Sequence, residues 1–128
     1  MFRYRLPALL IVTILALACW ICSASIGSRP SPKAATRITV HFFNMAIESY
    51  KDKVGELPTD LEALLKQPHS LPNDADWGGP YLSYEELPLD PWHNKFQYEV
   101  LDAENGKFRV WSKGPDGRSH TNDDIYER

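Results

Sequence analysis

The sequence predicts an α+β fold: an N-terminal membrane-spanning segment, then a long helix packed on a small antiparallel β-sheet, closed by a C-terminal loop rich in carboxylates. Three observations predict it. An uncharged apolar run extends from Leu6 to Ser28, directly after Arg3 and Arg5. Between Ala34 and Lys53 apolar residues recur at helical spacing. Near the C-terminus two short alternating segments flank Asn105-Gly106, a turn pair suited to a hairpin.

The uncharged run of about 23 residues measures roughly 34 Å as a helix, enough to cross the hydrocarbon core of a bilayer. Its basic flank keeps the N-terminus cytoplasmic and exports the remainder of the chain. Residues 1–28 are therefore read as an uncut anchor. A cleaved or lipidated form competes with it, because Ala16-Leu17-Ala18 is small–x–small and Cys19 comes next. Cys19 and Cys22 have the C-x-x-C spacing, but in an apolar run without a βαβ pattern they read as membrane-buried thiols. They are the chain's two cysteines, so the exported part has no disulfide framework and no thiolate metal site. The chain holds 14 basic and 17 acidic residues; setting aside Arg3 and Arg5 leaves 12 against 17. A mildly acidic domain of about 100 residues is a poor partner for nucleic acid, whose phosphates need a basic stripe.

Residues 29–33, with Pro30 and Pro32, are expected to be a linker, and 34–128 one exported domain. In its long helix Phe43, Ile47, Tyr50 and Val54 form an inward stripe, which Ile38, Phe42 and Met45 widen. Gly55 is placed as a left-handed cap. Thr59-Asp60-Leu61-Glu62 reads as a capping box, Thr59 opening a short helix with Leu61, Leu64 and Leu65 inward. Residues 67–90 form a loop too long to stand without pins, for which Trp77, Tyr81, Leu82, Tyr84 and Leu87 are the candidates. Two strands come after it. Phe96, Tyr98 and Val100 alternate with Gln97 and Glu99, and Phe108, Val110 and Ser112 alternate with Arg109 and Trp111. Trp77, Trp92 and Trp111 are assigned to the core or to holding loops down.

The last segment, from Ser112 to Ile125, carries Asp116, Asp123 and Asp124 among glycines and a proline. If it closes, the three carboxylates converge. At about 5 Å and an effective dielectric near 20, each pair repels by roughly 3 kcal/mol. Either the segment is a solvated acidic tail, or a cation lies between the acids. Hard oxygens on a flexible loop suit calcium, though the spacing is not that of an EF-hand. His41, His69, His93 and His120 share no metal-ligand spacing, and the chain has no nucleophile elbow or phosphate-cradling loop, so no enzymatic activity and no small-molecule substrate are expected.

These motifs, in this order, resemble a known family. The segment 48–59 (ESYKDKVGELPT), then Leu61-Glu62-Ala63-Leu64, Trp77-Gly78-Gly79-Pro80-Tyr81-Leu82, Leu87-Pro88-Leu89-Asp90-Pro91-Trp92, Phe96-Gln97-Tyr98, and Ser112-Lys113-Gly114-Pro115-Asp116-Gly117 with Asp123-Asp124-Ile125, are similar to the major pseudopilins of type II secretion, the protein G family. The resemblance covers about Phe42 to Ile125. It implies a non-enzymatic structural protein on the periplasmic side of a bacterial inner membrane, with other pseudopilins or secretion components as partners. It also implies a Ca2+ site in the terminal loop. Carried over by position, its ligands are the side chains of Asp116, Asp123 and Asp124, with backbone oxygens of Lys113, Arg118 and Thr121. The chain departs from the family at its start. The first glycine is Gly27 and the first acid Glu48, so neither the leader cleavage site nor the early glutamate of the family is matched. His93 stands where the family usually has glycine. The runner-up reading is a calcium-dependent binding protein anchored by lipid on Cys19 and unconnected with secretion.

Overall fold

The computed structural model describes residues 29–72 and 76–127. The anchor reading and both cysteines lie outside the described residues, as does the Asn73-Asp74 turn. Among the described residues no helix is long and apolar enough to cross a membrane.

Helix α1 spans Pro32–Val54. It starts two residues before the expected point, because proline at the first helical position gives up an amide that has no partner there anyway. Ser31 is the cap, its hydroxyl accepting from the Ala34 amide at 3.3 Å. Lys51 and Lys53 lie in the last turn, where the helix dipole favours cations. Gly55 closes the helix at φ 93°, its N–H donating to the Lys51 carbonyl at 2.8 Å.

The buried stripe of α1 is narrower than expected. Thr36, Val40, Phe43, Ala46, Ile47 and Tyr50 face inward, whereas Ile38 and Phe42 are each 51% exposed and Met45 is 55% exposed. Among the described residues one layer packs against this helix, so one face suffices. Apolar residues on the far side lack a partner among the described residues. Phe43 and Ile47, almost fully buried, each contribute about 1.5–3 kcal/mol of apolar transfer.

After Pro58 the chain makes a 3₁₀ turn at Leu61–Leu64. Its cap is Asp60, not Thr59. The Asp60 carboxylate accepts from the Ala63 amide at 2.9 Å, and Thr59 Oγ1 donates to that same carboxylate at 3.3 Å. The acceptor still lies three residues before the amide it caps, and the whole cap sits one residue later because the helical turn itself begins at Leu61. Leu61, Ala63 and Leu64 are buried, and Leu65 is partly so. The next loop is held by Trp77, whose indole N–H donates to the Ala63 carbonyl at 3.1 Å, and by Tyr81, whose backbone N–H donates to Leu64 at 2.8 Å. The Tyr81 ring packs on Tyr50 at 5.5 Å and edge-on to Trp77 at 5.9 Å. Leu82 is buried and Leu87 packs on the core, but Tyr84 is exposed and pins nothing.

The sheet has three antiparallel strands in the order β1 (Gln97–Asp102), β2 (Lys107–Ser112), β3 (Ile125–Tyr126). The hairpin pairs Tyr98 with Val110 and Glu99 with Arg109, and its register slips between Val100 and Asp102. Gly106 supplies the positive φ at the turn. Phe96, Tyr98, Phe108 and Val110 lie on α1, with Phe43 and Phe96 ring centroids 5.1 Å apart. Val100 does not join them; it is exposed at the hairpin's far end. The Tyr98 hydroxyl donates to the Pro58 carbonyl at 2.9 Å, and burial pushes its pKa up to about 12.

Candidate metal site in the terminal loop

The unexpected strand β3 makes the terminal segment a closed loop. Residues 113–124 leave the end of β2 and return to pair Ser112 with Ile125 and Trp111 with Tyr126. Closure demands a glycine at 114. With φ 65°, an added Cβ there would sit 2.2 Å from the Asp123 carbonyl oxygen, well inside contact distance.

The loop is tied to the body by Asp90, which is 3% exposed. One carboxylate oxygen, Oδ1, accepts from the amides of Trp92 at 3.0 Å and Asn94 at 2.8 Å. The other, Oδ2, accepts from the Ser112 hydroxyl at 2.6 Å, and Ser112 Oγ in turn accepts from the Gly114 amide at 3.0 Å. Asn94 Nδ2 then donates to the Gly114 carbonyl at 3.0 Å. Asp90-Pro91-Trp92 thus holds the turn before β1 and the loop after β2 with one side chain. Sequence reasoning passes over Asp90 as part of a motif block. The available signal is an aspartate before proline, which starts turns by accepting from amides two and four residues on. His93 adopts φ 66° in this turn, so the position usually held by glycine keeps its left-handed backbone with an imidazole on it.

The residues implied as ligands are distributed along the loop. Asp116 is exposed at the tip, and its Oδ1 accepts from the Arg118 amide at 2.9 Å. Asp124 Oδ2 accepts from the His120 amide at 2.6 Å and from the Tyr126 hydroxyl at 3.0 Å, while its Oδ1 is buried with no donor. Burial first, then the hydrogen bond to Asp124, pushes the Tyr126 hydroxyl pKa up. Asp123 is half-buried and presents its backbone to Gly114. The Thr121 carbonyl accepts from the Asp124 amide at 3.3 Å, and the Arg118 carbonyl from the Thr121 hydroxyl at 3.4 Å. Lys113 leads out of β2 and is half-buried. Among the described residues, no three His, Cys, Asp or Glu side chains gather into a cation-holding group. Closure therefore does not force the three carboxylates together, contrary to the sequence expectation. Backbone contact at Gly114 and the Asp90–Ser112 link shut the loop, while Asp116 and Asp124 turn to different amides. Set against a calcium site, the donors are of the right kind, hard oxygens, and Asp124 Oδ1 is a buried carboxylate oxygen still lacking a partner.

The loop also covers the outer face of β2. Trp111, at 5% exposed, stacks on Tyr126 at 6.2 Å and meets His120 at 5.8 Å, with the Arg109 guanidinium 5.4 Å from its ring centre. Nearby, Glu127 accepts from His41 and Asn44 of α1; these two hydrogen bonds hold its pKa below the ordinary glutamate value.

A capped amphipathic helix on a hairpin, with a glycine-closed terminal loop, defines a pseudopilin-like domain. The major pseudopilin of the type 2 secretion system of enterohaemorrhagic Escherichia coli has this fold. It superposes with a TM-score of 0.56 at 20% identity, over 96% of this chain and 92% of that one. The family described as Type II secretion system (T2SS), protein G matches residues 27–127, and the chain belongs to it. Type II secretion system core protein G of Aeromonas hydrophila is 34% identical over 84 residues, which is 62% of this chain and 57% of that protein. Its counterpart in Dickeya chrysanthemi is 37% identical over 83 residues, 62% of this chain and 52% of that protein. The chain thus spans little more than half the length of the curated relatives it matches.

Proposed function

We propose that this chain is a non-enzymatic structural subunit of, or related to, the type II secretion system. It is held in the bacterial inner membrane by residues 1–28 and presents its domain to protein partners in the periplasm. The observation that carries the reading is the one packed unit made by α1, the sheet and the closed terminal loop, in a chain of the protein G family. Such a unit offers shaped surfaces rather than a reacting centre.

In this proposal Ca2+ strengthens the terminal loop. Asp124 supplies its free Oδ1, Asp116 and Asp123 their carboxylates, and Lys113, Arg118 and Thr121 their carbonyls. The ion would draw these oxygens toward one point and offset the repulsion that gathering the acids creates. The test is thermal melting of the full chain in detergent, with Ca2+ or with a chelator. Ca2+ is expected to raise Tm, by RT ln(1 + [L]/Kd), about 2.7 kcal/mol of added stability at one hundred times Kd. Asp124→Asn and Asp116→Asn should remove the rise; an unchanged Tm in the native chain sinks the calcium clamp. Mass spectrometry of the mature N-terminus tests the anchor: an intact Met1 supports it, whereas an acylated Cys19 replaces it with the lipid-anchored reading.

A further inference from the structure

The sheet has an open side. β1 is an edge strand, and among the described residues no backbone hydrogen bond reaches it from the side away from β2. Residues 85–89 approach that side and meet the chain just before β1, in an antiparallel bridge between Leu89 and Lys95. The next position along, Pro88, has no N–H to carry the pairing on, and the bridge does not extend into a ladder. An edge with unpaired amides and carbonyls is a template for another strand, and proteins ordinarily cover it, shorten it or guard it with charge or proline. β1 is six residues long and holds no proline. Its mid-strand charge, Glu99, is compensated by Arg109 at 2.7 Å, and Val100 and Leu101 are exposed along it.

Beside this edge lies a groove of about 820 Å³, bounded by the 3₁₀ turn, residues 85–89 and the start of β1. Its apolar lining includes Leu61, Leu65, Leu87 and Phe96. Asp60, Glu62, Glu85 and Glu86 line it as well, all exposed, and outnumber Lys66 and Lys95. None of these acids is in an ion pair among the described residues. Asp60 serves as the cap of the 3₁₀ turn, which leaves Glu62, Glu85 and Glu86 as groove carboxylates without a described partner. Three properties coincide here: an unpaired backbone edge, an apolar lining and a rim of uncompensated negative charge.

The geometry points to a docking site for an extended segment of a partner protein, one that alternates aliphatic and basic side chains and adds to the sheet as a strand on β1. The segment's backbone takes the unpaired amides and carbonyls of β1. Its aliphatic side chains lie on Leu61, Leu65 and Leu87, and its lysines or arginines reach Glu62, Glu85 and Glu86. Strand addition draws affinity from main-chain hydrogen bonds and specificity from alternate side chains. A helix laid in the groove would leave the β1 edge unpaired, and an acidic or purely apolar strand would leave the rim carboxylates uncompensated. Six residues span about 20 Å as a strand, the length that β1 offers. The inference rests on the reading of the chain as a structural subunit that meets protein partners, and names one surface and the chemistry it takes.

The test titrates three fluorescein-labelled hexapeptides into the full chain in a non-ionic detergent and follows their anisotropy, with empty micelles as the blank. The first is Val-Lys-Val-Lys-Val-Lys and the second Val-Glu-Val-Glu-Val-Glu. The third is the lysine peptide with every backbone nitrogen methylated, which keeps its charge and apolar surface but cannot pair as a strand. The lysine peptide is expected to bind, more weakly as salt rises. The glutamate and methylated peptides should bind at least about tenfold more weakly than it does. Glu85→Lys/Glu86→Lys should weaken the lysine peptide about tenfold and strengthen the glutamate peptide, since the rim charge is then reversed. Both positions are exposed, so an unchanged melting curve shows that folding is intact. Hydrogen exchange should slow, on binding, at the β1 amides that face away from β2. Equal binding of the methylated and unmethylated lysine peptides overturns strand addition. Binding untouched by the charge reversal, protection mapped elsewhere, or no binding of the lysine peptide at millimolar concentration overturns the site. So does protection of β1 that grows with protein concentration in the absence of peptide, which would make a second copy the occupant. None of these readouts involves calcium or the state of Cys19, so the docking site and the subunit reading can fail separately.

Discussion

Replacing Asp90 with alanine removes the acceptor of three hydrogen bonds at once: the amides of Trp92 and Asn94 and the hydroxyl of Ser112. Ser112 is fully buried, so its hydroxyl cannot turn to water. Leaving one buried donor unsatisfied costs about 1–3 kcal/mol, and hydrogen bonds to a charged group contribute about 1.5–3 kcal/mol each. The two amides are only partly buried and recover some of their loss from water. Asp90→Ala is therefore expected to cost about 3–5 kcal/mol, a drop in Tm of about 15–25 °C for a domain of this size. Asp90→Asn keeps an acceptor for the amides but offers Ser112 an N–H where it needs an acceptor; its cost should be about 1–2 kcal/mol. The assay is thermal or denaturant unfolding of the full chain in detergent, together with Ser112→Ala and the double variant. The cycle should show a coupling of at least about 1 kcal/mol, because both single changes break the same bond. Hydrogen exchange at Gly114 should rise in both variants, since its amide ends that chain of bonds. Additive effects, or an Asp90→Ala cost under about 1 kcal/mol, would refute the assignment of Asp90 as the tie between the turn before β1 and the terminal loop.

Three further outcomes rest on the same packing. Phe43→Ala should cost about 3–5 kcal/mol and Phe42→Ala less than about 0.5 kcal/mol in chemical denaturation, because the first ring is buried on Phe96 and the second faces out; equal costs would mean that the buried stripe is misplaced. Gly114→Ala should destabilise by at least about 2 kcal/mol, because a side chain there is strained at positive φ and meets the Asp123 carbonyl; a melting curve matching the native one would exclude that close approach. Glu127 has a folded pKa below its unfolded value through His41 and Asn44, so its contribution is present above the unfolded pKa and is lost as pH falls through the folded one. Glu127→Gln should thus lower Tm near neutral pH and converge with the native chain once pH falls below the carboxylate range; a gap that persists in acid would mean the side chain acts otherwise than through its charge.

Much of this fold is legible in the residues themselves. The helix, its Gly55 cap, the hairpin and the inward set Phe43, Ile47 and Tyr50 come from local rules: a repeat of 3.6, a repeat of 2, and a backbone conformation that glycine adopts freely. These rules concern residues close in the chain, and a sequence displays such neighbours directly. The shift of the 3₁₀ cap to Asp60 and the early start at Pro32 are one- or two-residue adjustments, settled by which amide lies within reach of which oxygen.

Tertiary structure decided what depends on residues far apart in the chain. Ile38, Phe42 and Met45 have the composition of a core face, and they lie outside because the described residues place one packing layer on α1, against its other side. Trp111 sits at an outward position of β2, and it is buried because a loop from residues 113–124 returns over it. The tie between Asp90 and Ser112 joins residues 22 apart, so no periodicity could announce it. The acidic residues of the terminal loop show the same division. Their number and kind are written in the chain, but whether they converge depends on where the backbone turns each one. Sequence thus determined which faces were capable of burial and which loop carried the charge; the meeting of distant segments determined which faces were covered and where those charges point.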